Sequence, residues 1–440
     1  MSSSKTFFKN TLVTLSRQVS GILLGLLASV IIARVLGPEG NGMYQLIVLL
    51  PTTLMTLLNF GVGSASVYYI GQKKYDMKDI IKTNTASGFI LSIAAIISGA
   101  LVVYFASDKF FAGVPQPYLF SILIIMPLLM LNDFYLVLFQ GVQDFKSFNT
   151  LALIRQLVAL ITLALLLLLL KTGLVGTVFS FTIGVLAQFI LTLYFLRKRL
   201  NITLFSGNVS KPYFMDSFSF GYKAHFSNVL SFINYRADMF LISMFLTPAA
   251  VGLYGVAVTI AEKLWIVSQA ISSVLYPVIS SSKDNESKNK LTGAISRNVL
   301  FFSVIGGIAF YIASDLIFGL LFGEAYDKSS DILKMLLPGI ILFSVDRILS
   351  NDLAGRGKPE LNMYTSIFTV VSNIVLNFLL IPKIGIAGSA ISTSVTYSLS
   401  TLIKMVLFKR ETGLQYSKFI ILQKEDIEAY KKIIRKRMRT

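Results

Sequence analysis

Long apolar runs in this sequence are interrupted by ionisable side chains: Arg17, Arg155, Lys223, Arg236, Lys263, Arg297 and Arg347 among the cations, Asp133, Asp238, Glu262, Asp315 and Asp346 among the acids, and His225. At the centre of a membrane span such a residue costs at least about 2.5–3.5 kcal/mol, so it normally faces a partner or a cavity. Two kinds of chemistry are within reach of these types. A guanidinium binds a phosphate bidentately. Arg17, Arg155 and Arg236, with the ammonium of Lys263, are therefore candidates for holding an anionic head group. Asp133, Glu262 and Asp238 could carry protons as buried carboxylates, and His225 could change charge near neutral pH. These four are candidates for ion coupling.

Other chemistries are excluded. There is no cysteine and only one histidine, so disulfides, thiol nucleophiles and multi-histidine metal sites are absent. No G-x-x-x-x-G-K-[ST] pattern occurs, so the chain has no phosphate loop for ATP. No cofactor and no metal is expected.

Each candidate has a plainer alternative. On the first apolar run, Thr14, Arg17, Gly21, Gly25 and Ala28 share a face about 80° wide at helical pitch. That face is either a cavity wall with Arg17 turned to a diphosphate or a close helix contact with Arg17 snorkelling to the interface. Arg236 contacts substrate or pairs with an acid such as Glu262. Asp238 holds structure or carries a proton. Arg155 has no acid within a turn of its own run and must meet Asp133, water or substrate. Asp346, Arg347, Asp352 and Arg356 read as a structural latch at the end of the tenth run.

The elements that position these residues follow from composition. The chain has 440 residues, 54% hydrophobic and 14% charged, with a mean hydropathy of +0.71. Soluble domains carry about 25% charged residues, so a soluble enzyme, a disordered chain and a coiled coil are all disfavoured. The apolar stretches are continuous rather than alternating, which argues against a β-barrel. A spanning helix needs roughly 20 apolar residues. The expected fold is an all-α polytopic membrane protein with about 12 spans, in two pseudo-symmetric six-helix bundles. The bundles are placed at 1–200 and 219–410, with a cytoplasmic linker at 201–218 and a basic amphipathic tail at 411–440.

Lys and Arg concentrate in alternate loops, as in Lys73, Lys74, Lys78 and Lys82 or Arg197, Lys198 and Arg199. This bias sets both termini in the cytoplasm and accounts for much of the net charge of +18 without nucleic acid. In the tail, Ile427, Tyr430, Ile434 and Met438 recur at helical spacing among basic residues, which fits an anionic membrane surface; the alternative is a solvated charged tail.

The halves repeat. "VLGPEGNGMYQL" (35–46) matches "FLTPAAVGLYGV" (245–256) at an offset of 210 through Pro38 and Pro248, Gly42 and Gly252, and Tyr44 and Tyr254. Gly173 and Gly176 match Gly385 and Gly388, and Asn149 matches Asn362. Parallel repeats of this kind place a substrate site near the bilayer midplane and suit alternating access.

The segments "ARVLGPEGNGMYQL", "NYRADMFLI" (234–242), "VGLYGVAVTIAEKLW" and "DLAGRGKP" (352–359) resemble Wzx-type oligosaccharide flippases. These belong to the superfamily that also holds multidrug and toxin extruders and lipid II flippases. The resemblance covers about residues 1–410. It implies a MATE-like fold around a cationic cavity. It further implies transfer of an undecaprenyl-diphosphate-linked oligosaccharide to the outer leaflet of the bacterial plasma membrane, for O-antigen, exopolysaccharide or a similar polymer. Only Arg17 matches the arginine that the lipid II branch carries early in its first helix. The partners implied are the lipid-linked oligosaccharide, the bilayer and the polysaccharide polymerase machinery, with a monomer as the family's state. A gradient-driven multidrug antiporter is the competing reading, although an organic cation would favour an acidic cavity. A membrane glycosyltransferase is disfavoured by the short outward loops, and a non-transporting scaffold by the buried charges.

Overall fold

The computed structural model describes residues 2–203, 207–282 and 284–428; the side chains of 2–19, and those of a few other residues including Lys223, lie outside that description. Every regular element among the described residues is a helix. They sort into two compact units, Met1–Gly252 and Leu253–Thr440.

The first unit is built from α1 (Ser2–Leu58), α2 (Val62–Gln72), α3 (Met77–Phe110), α4 (Gln116–Leu123), α5 (Met126–Gly141), α6 (Phe145–Ala164), α7 (Gly173–Leu200), α8 (Lys211–Phe245) and the start of α9 (Pro248–Ala261). The second continues through α10 (Trp265–Ser281), α11 (Asn285–Leu321), α12 (Asp327–Gly355), α13 (Pro359–Ile384), α14 (Ile386–Thr412) and the short α15 (Ser417–Ile420). Helix α1 is two arms joined at Gly37, whose φ of 67° no branched residue adopts cheaply and which precedes Pro38. Elsewhere the starts are capped by the side chains that sequence places there: Asp76, Asp144, Ser210 and Asp284 each accept a bond from a first-turn backbone N–H.

Eight helices among the described residues are long and apolar enough to cross a membrane, and a ninth arises if the bent pair α4–α5, turned by 42°, is one span. The expected twelve is a larger number for a physical reason. Helices α8 and α12 have 35 and 29 residues but carry several charges each, and α1 counts as one helix although Gly37 folds it into two arms. Large apolar side chains lie bare along these helices, among them Phe105 at 77% exposure and Ile312 at 75%. Water would not tolerate so much continuous apolar surface; a lipid chain would cover it. The chain is a multi-pass membrane protein.

The repeat is visible as geometry. Gly173 and Gly385 open α7 and α14 with φ of 63° and 64°. At the other match, a Cβ on Gly42 would lie 1.7 Å from the carbonyl oxygen of Pro248, and one on Gly252 would lie 2.0 Å from that of Pro38. Each glycine thus receives the carbonyl of the other motif's proline, as a two-fold relation between duplicated segments requires.

In the second unit, the part of the tail region before residue 429 is docked. Phe419 is buried against Phe408 with ring centroids 5.2 Å apart. Arg297 of α11 grips Asp426 bidentately, at 2.5 Å from Nε and 2.9 Å from Nη2, and donates through Nη1 to the Lys418 carbonyl. The basic stretch from Lys431 to Arg439, read as an amphipathic helix from the sequence, lies outside the described residues.

The Arg297 guanidinium holds the Asp426 carboxyl down at about 2. A carboxyl lowered on folding stabilises the docked state above its ordinary value near 3.8 and stops doing so as pH falls from there through 2. Amide exchange in residues 414–428 is therefore expected to stay slow from neutral pH to about 5, after correction for intrinsic rates, and to speed up below 4. Asp426→Asn should show the fast exchange at neutral pH.

Candidate functional site

A cavity of about 440 Å³ lies within the first unit, between α1, α5, α6 and α7. Its α1 wall is Leu24, Gly25, Ala28 and Ile32, with Tyr44 from the second arm. Gly25 and Ala28 belong to the small-residue face on which Arg17 falls. A Cβ on Gly25 would meet open space, whereas one on Gly21 would press on the Gln156 amide at 3.0 Å. Small residues here leave room for a ligand at one level and admit a neighbouring helix one turn away.

Helix α6 supplies Arg155, Gln156 and Ala159; α7 supplies Thr177, Ser180, Phe181 and Gln188. The Arg155 guanidinium sits 5.4 Å from the Phe181 ring centroid, a cation–π contact. Among the described residues it makes no hydrogen bond and no ion pair within 4 Å. Asp133 on α5 and Tyr44 of the second α1 arm are its nearby titratable neighbours. Thr177 and Ser180 are buried and donate to their own helix backbone at 3.0 and 2.7 Å. Gln188 is 3% exposed, and its Oε1 has no partner among the described residues. An unsatisfied buried acceptor costs about 1–3 kcal/mol.

The structure therefore brings Arg155, Asp133 and Tyr44 together, with Gln188 lining the same cavity as Arg155 and Tyr44. Gln188 escapes a search for ionisable residues because it carries no charge; an amide in the middle of the apolar run 173–200 was the available signal. The side chain of Arg17 lies outside the described residues.

The other candidates sit elsewhere. Arg236 and Asp238 are on α8, Arg236 half-buried and Asp238 buried. His225, in the middle of α8, bonds the Asn59 side chain at 3.1 Å and lies against Phe60. A Cβ on Gly61 there would come within 2.3 Å of the Gly221 carbonyl oxygen, so α8 is docked on the turn between α1 and α2. Glu262 and Lys263 occupy a single 3₁₀ turn, Glu262–Leu264, between α9 and α10 in the second unit, both half-buried. Such a tightened turn inside a long helix is a common hinge.

The acids and cations of α12 are structural. Asp346 accepts from Lys404 Nζ at 2.7 Å and from Ser400 at 2.6 Å. Asp352 holds Arg356 and Thr292, at 2.5 and 2.6 Å. Arg347 lies over the Trp265 ring, 4.5 Å from its centroid. Lys404 is not singled out by sequence reasoning, although it stands inside the run 386–408.

Comparison with known proteins adds the following. The family model described as "Polysaccharide biosynthesis protein" matches residues 7–283, and a second, MatE, matches 224–379. A Haloferax volcanii protein named as the low-salt glycan biosynthesis flippase Agl15 is 28% identical over 204 residues, 45% of this chain and 43% of its own length. The match thus spans less than half of that relative. A Shigella flexneri protein named as an O-antigen transporter is 24% identical over 411 residues, covering 86% of this chain and 92% of its own. Among solved structures, the lipid II flippase MurJ in an inward closed conformation superposes with a TM-score of 0.77 at 18% identity, over 90% of this chain and 87% of its own. An inward-facing multidrug MATE transporter gives 0.72 at 14% identity, over 92% and 98%. The fold is MATE-like.

Proposed function

The chain belongs to the polysaccharide biosynthesis protein family, and from that premise we propose that it is a flippase for an undecaprenyl-diphosphate-linked oligosaccharide. It is a membrane transporter and not an enzyme. The substrate moves from the cytoplasmic to the outer leaflet of the bacterial plasma membrane by alternating access, both termini being cytoplasmic. The observation that supports this reading best is Arg155: a guanidinium inside a membrane helix, open to a cavity, without an ion-pair partner among the described residues. A cation kept in that state at the cost of burial is explained by a ligand that uses it.

In this reading Arg155, Arg17, Arg236 and Lys263 serve the anionic, sugar-bearing head group. Asp133, Glu262, Asp238 and His225 are the candidates for coupling to an ion gradient. Residues 1–200 and 219–410 are the two moving bundles, 201–218 links them, and 411–440 lies on the cytoplasmic side. The protein works as a monomer and hands its product to polymerase machinery.

The test is lipid extraction with mass spectrometry from cells depleted of this protein. A complete undecaprenyl-diphosphate oligosaccharide should accumulate, and re-expressed wild type should clear it. Arg155→Met is expected to leave accumulation at least tenfold above wild type with normal amounts of protein in the membrane. Unchanged lipid-linked sugars, in cells without a second flippase, would overturn the reading. The MatE match over 224–379 supports a rival, the gradient-driven multidrug antiporter; depletion would then sensitise cells to organic cations and leave lipid-linked sugars alone.

A further inference from the structure

We infer that Gln156 and Tyr44 complete, with Arg155, a seat of hydrogen-bond donors for one phosphate group inside the first unit, and that Gln156 is a specificity-determining residue of that seat. The inference rests on the flippase reading for what carries the phosphate; the phosphate itself is argued from the cavity wall.

Gln156 stands within the apolar run of α6, a helix long and apolar enough to cross the membrane. It is exposed, it lines the cavity, and it has no hydrogen-bond partner among the described residues. An amide left unbonded in an apolar medium is costly, and a ligand in the cavity removes that cost. The carboxamide lies against the bare Cα of Gly21, where a Cβ would come within 3.0 Å of Oε1 and 3.4 Å of Nε2. The missing side chain at Gly21 is what gives the amide its place. Arg155 and Gln156 are consecutive, so they point about 100° apart around α6, yet both reach the cavity. Tyr44 faces them from the second arm of α1 and likewise has no hydrogen-bond partner among the described residues.

The accessible polar groups of this wall therefore donate: a guanidinium, a carboxamide and a phenol. No carboxylate lines the cavity among the described residues. Asp133 lies outside the lining, with its Oδ2 turned towards Gly63 of α2, 3.9 Å from where a Cβ on that glycine would stand. An organic cation would meet a like charge here and no counter-charge. An uncharged ligand would forgo the charge-assisted bonds that a guanidinium offers. A phosphate group accepts from all the donors at once, taking parallel bonds from Arg155 and single bonds from Gln156 and Tyr44. The rest of the lining includes Leu24, Ile32, Leu160 and Leu163. A volume of about 440 Å³ exceeds what a phosphate fills, so the group can enter as an ester with an apolar chain beside it.

The experiment is calorimetric titration of the full chain in phosphatidylcholine nanodiscs, with empty discs subtracted. The probes are inorganic pyrophosphate and farnesyl diphosphate, a free and a lipid-borne form of the same chemistry. Wild type should bind both, and farnesyl diphosphate at least tenfold more tightly. Gln156→Leu removes the amide at similar volume and should weaken both at least tenfold. Gln156→Glu sets a carboxylate against the phosphate and should weaken both at least a hundredfold. Gln156→Lys restores a donor and should stay within threefold of wild type or bind more tightly. Tyr44→Phe should cost at least threefold. The order Lys, Gln, Leu, Glu follows donor and charge, and a merely structural role of residue 156 would not produce it. No binding of either probe, or wild-type affinity in both Gln156→Leu and Gln156→Glu, would overturn the assignment. Gel filtration shows whether each variant is folded; should Gln156→Leu fail, Gln156→Met carries the same test. Failure of the flippase reading has a different signature: the Gln156-dependent binding persists with equal affinity for the two probes, and depleted cells show unchanged lipid-linked sugars. The seat would then serve a free phosphate.

Discussion

Lys404→Met is expected to destabilise the second unit by about 3–5 kcal/mol, the usual cost of stripping one partner from a buried ion pair. Lys404 and Asp346 are 6% and 3% exposed, and their 2.7 Å contact joins α14 to α12 in the interior of that unit. Ser400 and Ser350 complete the cluster, Ser400 donating to Asp346 at 2.6 Å and Ser350 lying 2.6 Å from Lys404 Nζ. Without the ammonium, the carboxylate keeps only hydroxyl partners. The penalty comes from the charge left behind, so Asp346→Leu combined with Lys404→Met should recover most of the loss, since the apolar pair fills the space and leaves no ion. Thermal unfolding of the four forms in detergent, read as a double-mutant cycle, checks this. If Lys404→Met alone unfolds like wild type, the pair is not buried as the structure has it.

How much of this was legible in the sequence depends on the kind of signal. Helical class, membrane environment and duplication were legible because they are written many times over: continuous apolar runs, alternating basic loops, and the Pro–Gly–Tyr match at offset 210. Pairing was not. Asp346 stands out as an acid in a span, but its partner is 58 residues away, and only packing shows that Lys404 reaches it. Arg155 was legible as a charge needing an explanation; that it faces a cavity without an ion pair among the described residues required coordinates. Gln188 was hidden twice, by its neutrality and because an orphan acceptor exists only relative to neighbours. A count by apolar length gives eight or nine spans rather than twelve for a related reason. Hydropathy sees charges in α8 and α12 as defects, and it cannot see that α1 turns at Gly37.

The glycine contacts at the two ends of α8 lead to the prediction with the largest functional effect. Near its start, Gly221 lies on the Phe60–Gly61 turn; just past its end, Gly252 lies on Pro38 and Pro248 lies on Gly42. Backbone meets backbone at both places, with no side chain that could yield. Gly42→Leu is therefore expected to force the two repeat motifs apart, because a Cβ at 1.7 Å from a carbonyl oxygen has no rotamer that avoids it. Gly221→Leu should do the same at the opposite end, where its Cβ would lie 2.6 Å from the Phe60 carbonyl oxygen. An alternating-access carrier must open one end while the other stays shut. The two substitutions should thus bias it in opposite directions, and each should abolish clearance of the lipid-linked oligosaccharide. The chain has no cysteine, so a single cysteine at Gly25, in the wall of the cavity, reports access directly. A membrane-impermeant thiol reagent added from one side should label it faster in Gly42→Leu, and from the other side faster in Gly221→Leu. If labelling from both sides is the same in the two variants, and flipping persists in both, then these contacts are packing details. The carrier would then have to close against side chains elsewhere. If instead each variant opens its own side, the duplicated proline–glycine motif is the hinge contact on which the transport cycle turns, and its retention in both halves is explained by the need for reciprocal close approach.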